Sequence, residues 1–185
     1  MRIVGGAWRG RRLAAPRGDA IRPTSDRLRE ALFNVLAHAY GDPVPGARVL
    51  DLFAGTGALA FEALSRGAAL AVLVDEGAQA GALIRETREA LGCADRARLL
   101  RRDATRLGTA EADGPFTLAF LDPPYGRGLA PRALACARDG GWLAPDALVL
   151  VEEAASVRLG PLPGFTELER RGTGETAVTV LRAAG

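Results

Sequence analysis

The sequence has no lysine, one histidine, two cysteines and few aromatic residues, and each scarcity limits what the protein can do. All 24 basic residues are arginine. A GC-rich genome explains that choice most simply, so the use of arginine is not in itself a sign of phosphate binding. The single histidine, His38, has no evident partner in the surrounding sequence, and we assign it no catalytic role.

The cysteines and the hydrophobic runs exclude two further classes of protein. Cys93 and Cys136 form no C-x-x-C pair, which disfavours a zinc site, and no secretory signal peptide is recognisable. A reduced setting is therefore favoured over an oxidising one. No apolar run approaches the roughly 18 to 20 residues that a membrane-spanning helix needs. We expect a soluble, cytoplasmic protein without a metal site.

Length and charge indicate one domain with a basic N-terminal appendage. A chain of 185 residues suits a single α/β domain and is short for two. The net charge is only +2, but the first 30 residues hold eight arginines against three acidic residues, which gives +5 there and −3 over the remainder. The basic character is therefore local.

The stretch RVLDLFAGTGALAFEALSRG, residues 48–67, predicts a buried strand, a glycine turn and an amphipathic helix in succession. Asp51 interrupts the apolar run. A buried carboxylate is costly unless it is hydrogen-bonded, so Asp51 is either a structural cap on the turn or a ligand for a polar cofactor. Gly55 and Gly57 permit positive φ and a close approach of the backbone to a ligand. Residues 55–60 also match the dinucleotide fingerprint G-x-G-x-x-A, so the turn alone does not select a cofactor.

Alternation of strands and helices continues after this stretch. Further strands are predicted at residues 71–74, 97–102, 116–121 and 147–151, and a terminal hairpin at 165–182. We expect a doubly wound, Rossmann-like α/β sheet of seven strands, mostly parallel with a C-terminal antiparallel hairpin. An aspartate closes each of the first four strands: Asp51, Asp75, Asp103 and Asp122. Each alone could cap a helix, but together they should converge on one crevice at the carboxyl edge of the sheet.

The N-terminal segment predicts a small basic hairpin. The run IVGGAWRGRRL gives a short strand, a Gly-Gly turn and a second strand, with Arg9, Arg11 and Arg12 around an exposed Trp8. Arginine interleaved with an exposed aromatic ring suits a nucleic-acid backbone and a stacked base. A solvated basic hairpin without a ligand explains the pattern about as well.

A docked helix follows this hairpin and extends to about residue 40. Ser25 supplies the N-cap, and apolar residues recur at helical spacing from Leu28 to Ala39. Arg22, Arg27 and Arg29 lie near the start of the helix, the end that favours phosphate.

The motifs together resemble the class I S-adenosylmethionine (SAM) methyltransferases. DLFAGTG, residues 51–57, resembles that family's first motif, and DPPY, residues 122–125, resembles its motif for methylating exocyclic amines of nucleobases. The resemblance implies that SAM is the cofactor and that its binding residues are Asp51, Phe53, Gly55, Gly57, Asp75, Asp103 and Ala104. Within this set Asp75 would hold the ribose hydroxyls, while Asp103 and Ala104 would contact the adenine. The catalytic residues implied are Asp122, Pro123, Pro124 and Tyr125.

Three stretches narrow the resemblance to the RsmD family of 16S rRNA guanine-N2 methyltransferases. They are MRIVGGAWRGRRL, RPTSDRLREALFNVL and LDPPYG. The resemblance implies an RNA-binding arm with a docked helix in residues 1–40 and a methyltransferase domain in 41–185. The implied RNA-binding residues are Trp8, Arg9, Arg11, Arg12, Arg22 and Arg27. The implied partner is 16S rRNA, free or within an assembling small ribosomal subunit, and a monomer is the default expectation.

The residue types in DPPY also suit methylation of an exocyclic amine independently of the resemblance. An exocyclic amine is a poor nucleophile because its lone pair is delocalised into the ring, and Asp122 and the Pro123 carbonyl can accept its N–H bonds. The two prolines stiffen the loop, and stacking on Tyr125 is worth about 1–3 kcal/mol. The sulfonium already activates the methyl group, so in-line positioning is the main requirement and no metal is needed.

Three other functions remain open on the sequence. DPPY also occurs in enzymes that methylate adenine-N6 or cytosine-N4 in DNA or RNA, and the product nucleoside would distinguish them. A non-catalytic RNA-binding assembly factor is possible, although pure binding needs none of the four acids. An NAD-dependent oxidoreductase would explain the glycine fingerprint, but no constellation for hydride transfer accompanies it.

Overall fold

The computed structural model describes residues 1–16, 25–110 and 112–185. The described helices are α1 (Asp26–Ala39), α2 (Ala58–Ser65), α3 (Ala78–Leu91) and α4 (Leu129–Asp139). The strands are β1 (Arg48–Leu52), β2 (Leu70–Val74), β3 (Ala97–Leu100), β4 (Phe116–Leu121), β5 (Leu143–Ala154), β6 (Phe165–Thr173) and β7 (Thr176–Ala183). Within these residues no helix has the length and apolar character needed to cross a membrane.

The seven strands form one sheet in the order β3-β2-β1-β4-β5-β7-β6. The first five strands are parallel, and β7 runs antiparallel to both β5 and β6. The predicted fold class is therefore confirmed. Strand β5 is longer than the predicted 147–151, because β7 pairs with it as far as Ala154. The extension carries Glu152 and Glu153 into the strand.

The sheet is covered on both faces. Helices α1, α2 and α3 cover one face, where Phe33 of α1 contacts Phe120 of β4 with ring centroids 5.7 Å apart. Helix α4 and the loops around it cover the other face, and the fully buried Trp142 stacks near Phe116 there. Because parallel strands share one polarity, the loops that follow β1 to β4 all emerge at one edge of the sheet.

The N-terminal arm, residues 1–14, folds back on itself as the predicted hairpin. An antiparallel bridge between Arg2 and Arg12 joins its two sides, together with backbone hydrogen bonds from the Ile3 N–H to the Arg11 carbonyl at 3.0 Å and from the Leu13 N–H to the Met1 carbonyl at 3.3 Å. The arm packs on α2, where the Gly5 N–H donates to the Glu62 carboxylate at 2.8 Å and the Trp8 N–H to Ser65 Oγ at 2.9 Å. The turn of the hairpin is thereby attached to the helix through its backbone.

A buried charge cluster joins the arm, α1 and α2. The Glu62 side chain is fully buried and accepts hydrogen bonds from the backbone of Val4 and Gly5 at 2.9 and 2.8 Å and from Arg66 at 2.8 Å. The equally buried Arg29 guanidinium lies 3.6 Å from Glu62 and 2.8 Å from Asp26. Arg29 lies near the start of the helix, as the sequence indicates, but its charge is directed inward and neutralises Glu62 inside the protein.

Helix α1 is also attached at its far end. The Tyr40 hydroxyl donates to Glu169 of β6 at 2.6 Å. Burial and this carboxylate raise the pKa of Tyr40 to about 12, so its hydroxyl remains a donor over the physiological pH range. Helix α1 is thereby fixed between α2 and the edge strand, with its first turn directed toward the carboxyl edge of the sheet.

Candidate active site

A cleft of about 1280 Å³ opens at the carboxyl edge of the sheet. Its walls are the loops after β1 to β4, the last residues of β5, the β6–β7 turn and the start of α1. The cleft brings together these sequence-predicted residues: Asp51, Phe53, Gly55, Asp75, Asp103, Ala104, Asp122, Pro123, Pro124 and Tyr125. Gly57 does not line the cleft and lies directly behind its wall.

The glycine turn after β1 is built for a close approach. Phe53, Gly55 and Gly57 all have positive φ, at 60°, 56° and 75°. A Cβ on Gly57 would lie 2.6 Å from Leu73 Cδ2 and 2.7 Å from Phe61, so only glycine fits. Gly57 is also the N-cap of α2 and provides no side-chain hydrogen bond. The partial positive charge at the start of α2 is thus available to a ligand.

Asp51 is both a cap and part of the cleft wall. It lies in the last part of β1, is 2% exposed, and accepts a hydrogen bond from the Ala60 N–H at 3.2 Å. Burial raises the pKa of its carboxyl to about 7, and the neighbouring Asp75 charge adds to the shift. Asp51 can therefore cap the turn and also contact a polar cofactor, the two roles that the sequence left open.

Asp75 and Asp103 order the next two loops. Asp75 accepts hydrogen bonds from the backbone of Gly55 at 2.9 Å and of Gly77 at 2.8 Å, which ties the loops after β1 and β2 together. Asp103 accepts from the amide and hydroxyl of Thr105, both at 2.8 Å. These bonds, with the nearby charges of two arginines, lower the pKa of Asp103. Both carboxylates line the cleft while they fix its walls.

The DPPY loop forms the other half of the cleft. The Asp122 N–H donates to the Leu52 carbonyl at 3.4 Å, so the loop continues the sheet pairing for one more residue. The Tyr125 hydroxyl donates to Glu152 Oε1 at 2.6 Å. The adjacent Glu153 accepts the Gly126 N–H at 3.0 Å and so holds the loop from the other side.

Sequence reasoning missed several residues of this half of the cleft. They are Ser25, Leu28, Ala31, Arg102, Glu152, Gly174, Glu175 and Thr176. The Glu152-Glu153 pair at the end of a predicted strand was visible in the sequence. Side chains alternate between the faces of a strand, so a correct β5 boundary would have separated the two glutamates.

The predicted RNA-binding residues do not form one surface at the cleft. Arg27 is exposed and lines the cleft, and Arg22 lies outside the described residues. The predicted exposure of Trp8 is wrong, because it is half-buried against the core with the Arg96 guanidinium 5.2 Å from its ring centroid. Trp8 contacts Ser65 at the C-terminal end of α2, and this end lies at the opposite edge of the sheet from the cleft.

The arm arginines are available to a partner. Arg9, Arg11 and Arg12 are all exposed, and Arg11 donates to the Ala90 carbonyl at 2.6 Å. Arg9 and Arg12 make no side-chain hydrogen bond or ion pair to the part of the chain that the structure describes. The arm therefore presents positive charge along the side of the molecule.

A second group of exposed arginines lies near the cleft itself. Arg106 is 81% exposed with its Nε 3.9 Å from Asp103, and the charge of Arg132 also acts on that carboxyl. Arg127 is exposed in the loop that follows Tyr125. We call Arg106, Arg127 and Arg132 the rim arginines. The cleft is thus acidic inside and basic at its rim.

The described residues contain no group of three or more His, Cys, Asp or Glu side chains arranged to hold a metal ion.

Comparison with known proteins places the chain among relatives that match most of its length. The family model described as Conserved hypothetical protein 95 matches residues 1–182. The Escherichia coli (strain K12) protein named Ribosomal RNA small subunit methyltransferase D is 42% identical over 171 residues, which cover 92% of this chain and 83% of the relative. The Haemophilus influenzae protein of that name is 32% identical over 176 residues, 94% of this chain and 89% of the relative. The solved structure of yhhF from Escherichia coli has a TM-score of 0.83 and 36% identity, covering 100% of this chain and 98% of that one.

Proposed function

This chain belongs to the Conserved hypothetical protein 95 family, the RsmD family, and we propose that it transfers a methyl group from SAM to the exocyclic N2 amine of a guanine in 16S rRNA. The observation that carries the proposal is the shared cleft, which is lined both by acids at the ends of successive strands and by the DPPY residues. One half of this cleft suits a polar cofactor and the other half suits a planar base with an amine.

The cofactor half has the groups that SAM requires. Asp75 offers carboxylate oxygens to ribose hydroxyls, and Ala104 is a small neighbour for the adenine beside Asp103. The glycine turn and Phe53 lie where the methionine part would contact backbone. SAM supplies a methyl group that its sulfonium already activates. The acidic interior of the cleft favours that positive charge over a neutral ligand.

The target half has the groups that the amine requires. Asp122 and the Pro123 carbonyl accept N–H bonds of the amine, which frees its lone pair to point at the methyl group. Pro124 stiffens the loop, and the Tyr125 ring stacks on the base. The protein thereby aligns nucleophile and methyl group, and this alignment is its main contribution to the rate.

The substrate is held by positive charge on two sides. The rim arginines contact phosphates next to the target nucleotide, and Arg9, Arg11 and Arg12 contact RNA farther along. A guanine within a helix would have to leave its stack at a cost of a few kcal/mol, so a loop guanine is preferred. We infer that the protein acts as a monomer in the cytoplasm on 16S rRNA, free or in an assembling subunit.

Methyl transfer from radiolabelled SAM tests the proposal. The acceptors are undermethylated small ribosomal subunits and their naked 16S rRNA, and the labelled nucleoside is identified after digestion. We expect N2-methylguanosine from the wild type and none from Asp122→Ala, with SAM binding retained in that variant. Label in N6-methyladenosine or N4-methylcytidine would overturn the choice of base. RNA binding without turnover at saturating SAM would instead indicate a non-catalytic assembly factor.

A further inference from the structure

Glu152 lies on the target side of the cleft, beside the proposed catalytic aspartate. Leu121, the last residue of β4, pairs with Val151 of β5, so Asp122 and Glu152 follow directly on a pair of neighbouring residues. Glu152 is 7% exposed and lines the cleft. The two carboxylates therefore face the same small volume.

The alternation of β5 assigns the two adjacent glutamates to different faces. Leu150 belongs to the core under α1, and Val151 belongs to the core under α4. Glu152 is consequently on the α1 face, where it reaches the cleft and Tyr125, while Glu153 holds Gly126 on the α4 face. Only one of the two carboxylates can meet a substrate.

The hydrogen bond from Tyr125 leaves Glu152 with further acceptor capacity. The Tyr125 hydroxyl donates to Oε1 at 2.6 Å. An ionised carboxylate has about four lone-pair positions, so this bond and others of the protein can coexist with a bond from a ligand. This hydrogen bond fixes the orientation of the carboxylate beside the Tyr125 ring.

The position of Glu152 suits one base better than the others, because the bases differ in the ring nitrogen next to the exocyclic amine. Next to its exocyclic N2 amine, guanine carries a ring N1–H donor. Adenine and cytosine carry an unprotonated ring nitrogen, an acceptor, next to their amines. A carboxylate beside the amine-binding aspartate attracts the N1–H of guanine and repels the lone pair of the other two bases.

We propose that Glu152 is the residue that selects guanine, by accepting the N1–H of the target base while Asp122 and the Pro123 carbonyl accept its N2 amine. This role rests on the proposed function of the cleft. Glu152 would then determine the specificity for guanine, because the DPPY motif alone can bind the amine of guanine, adenine or cytosine.

The test compares two acceptors that share the reacting amine. One is 16S rRNA with its natural target guanine, located by mapping the labelled nucleotide. The other carries 2-aminopurine at that position, introduced by ligation of a synthetic segment. 2-Aminopurine keeps the 2-amine but has an unprotonated N1 and no 6-oxo group, so the change of preference between protein variants is what reports on Glu152. The readout is the ratio of kcat/KM for guanine to that for 2-aminopurine.

We expect the wild type to prefer guanine by about tenfold or more, because its carboxylate would face a lone pair in 2-aminopurine. Glu152→Gln should reduce the ratio several-fold, because the glutamine amide can donate to N1 while its carbonyl still accepts from Tyr125. Glu153→Gln is the matched control. It changes an equally buried glutamate on the same strand and should leave the ratio at the wild-type value.

Two further variants separate a direct contact of Glu152 with the base from an effect through Tyr125 or through folding. Tyr125→Phe removes the hydroxyl that orients Glu152 but keeps the carboxylate, so it should lower the ratio less than Glu152→Gln does. An equal change of the ratio in Tyr125→Phe and Glu152→Gln would overturn direct contact with the base. If Glu152→Gln does not fold, as judged by thermal unfolding, Glu152→Asp withdraws the carboxylate by one methylene and should also lower the ratio.

The two proposals fail differently. If wild type forms N2-methylguanosine and Glu152→Gln retains the wild-type ratio, the role of Glu152 is wrong and the function stands. If wild type forms no N2-methylguanosine on any acceptor, the function is wrong and the role of Glu152 falls with it.

Discussion

The carboxyl of Asp51 is the least exposed acid among the described residues that line the cleft, at 2%. Its pKa rises from the ordinary 3.8 to about 7, first because of burial. Between these two pH values the native state holds a proton that the unfolded state releases. The free energy of unfolding therefore falls as pH rises through this window. A cation bound nearby would favour the ionised form and reverse that loss.

SAM affinity should consequently depend on pH. Asp51 is mostly protonated at pH 6 and mostly ionised at pH 8, so the affinity for cationic SAM should rise over this range. The limiting slope is about tenfold per pH unit, since at most one proton is released per ligand. Calorimetric titration at several pH values measures this slope. Asp51→Asn removes the titrating group, and an unchanged slope in that variant would show that another group is responsible.

At the level of the elements, the arm depends on a close contact with α2. Gly6 has φ of 74°, and a Cβ there would lie 2.0 Å from the Ser65 carbonyl oxygen. Gly10 has φ of 83° with no atom within 4 Å of its Cβ position. Both glycines have a left-handed backbone conformation, but only Gly6 lies against Ser65.

Gly6→Ala should detach the arm from α2, while Gly10→Ala should cost only the left-handed conformation, about 1–2 kcal/mol. Amide hydrogen exchange of residues 4–8 and urea unfolding measure the two effects. SAM binding should persist in Gly6→Ala because the cleft is at the other end of α2. Equal protection of these amides in both variants would contradict the packing role of Gly6.

The buried cluster should make a large contribution to stability. Glu62→Gln leaves Arg29 without its buried countercharge on α2, and removing one partner of a buried pair costs about 3–5 kcal/mol. Glu86→Gln, at an exposed position of α3, should change stability by less than about 0.5 kcal/mol. Chemical denaturation of the two variants measures the difference. A small loss for Glu62→Gln would mean that Asp26 is a sufficient countercharge for Arg29.

Features that depend on nearby residues were predicted from the sequence, and features that depend on distant contacts were not. The glycine turn, the parallel strands and the four acids follow from local periodicity, because buried strands and sharp turns restrict residue type within a few positions. The packing of the arm on α2 and the burial of Arg29 were not predicted, because both depend on Glu62, 33 positions beyond Arg29. The end of β5 was missed for a similar reason, since its pairing partner is β7.

On the scale of the whole molecule, charge is arranged in two positive regions around an acidic cleft. The rim arginines lie beside Asp103 and after Tyr125 at the cleft, and the arm arginines lie along α2 toward the opposite edge of the sheet. Helix α2 has eight residues, so the arm extends positive charge by about 12 Å along the side of the protein. An RNA that follows both regions would extend beyond the target nucleotide.

Salt dependence should separate these regions. Alanine replacement of Arg9, Arg11 and Arg12, or of the three rim arginines, should weaken RNA binding and flatten the plot of log affinity against log salt. The slope should change by about 0.7–0.9 for each phosphate that the variant no longer neutralises. The rim variant should also lower kcat. Arg182→Ala, an exposed arginine of β7, is the control. Loss of SAM binding in the arm variant would indicate a structural arm.

The cluster around Glu62 also restricts how relatives of this protein can diverge. One carboxylate is shared by the arm backbone, Arg29 and Arg66, so a change at position 62 leaves several donors without an acceptor at once. A lineage that loses this glutamate must also lose the arginine at 29 or reroute its N-terminal segment. Positions 29 and 62 are therefore expected to vary together in an alignment of relatives, as a pair inherited or replaced as a unit.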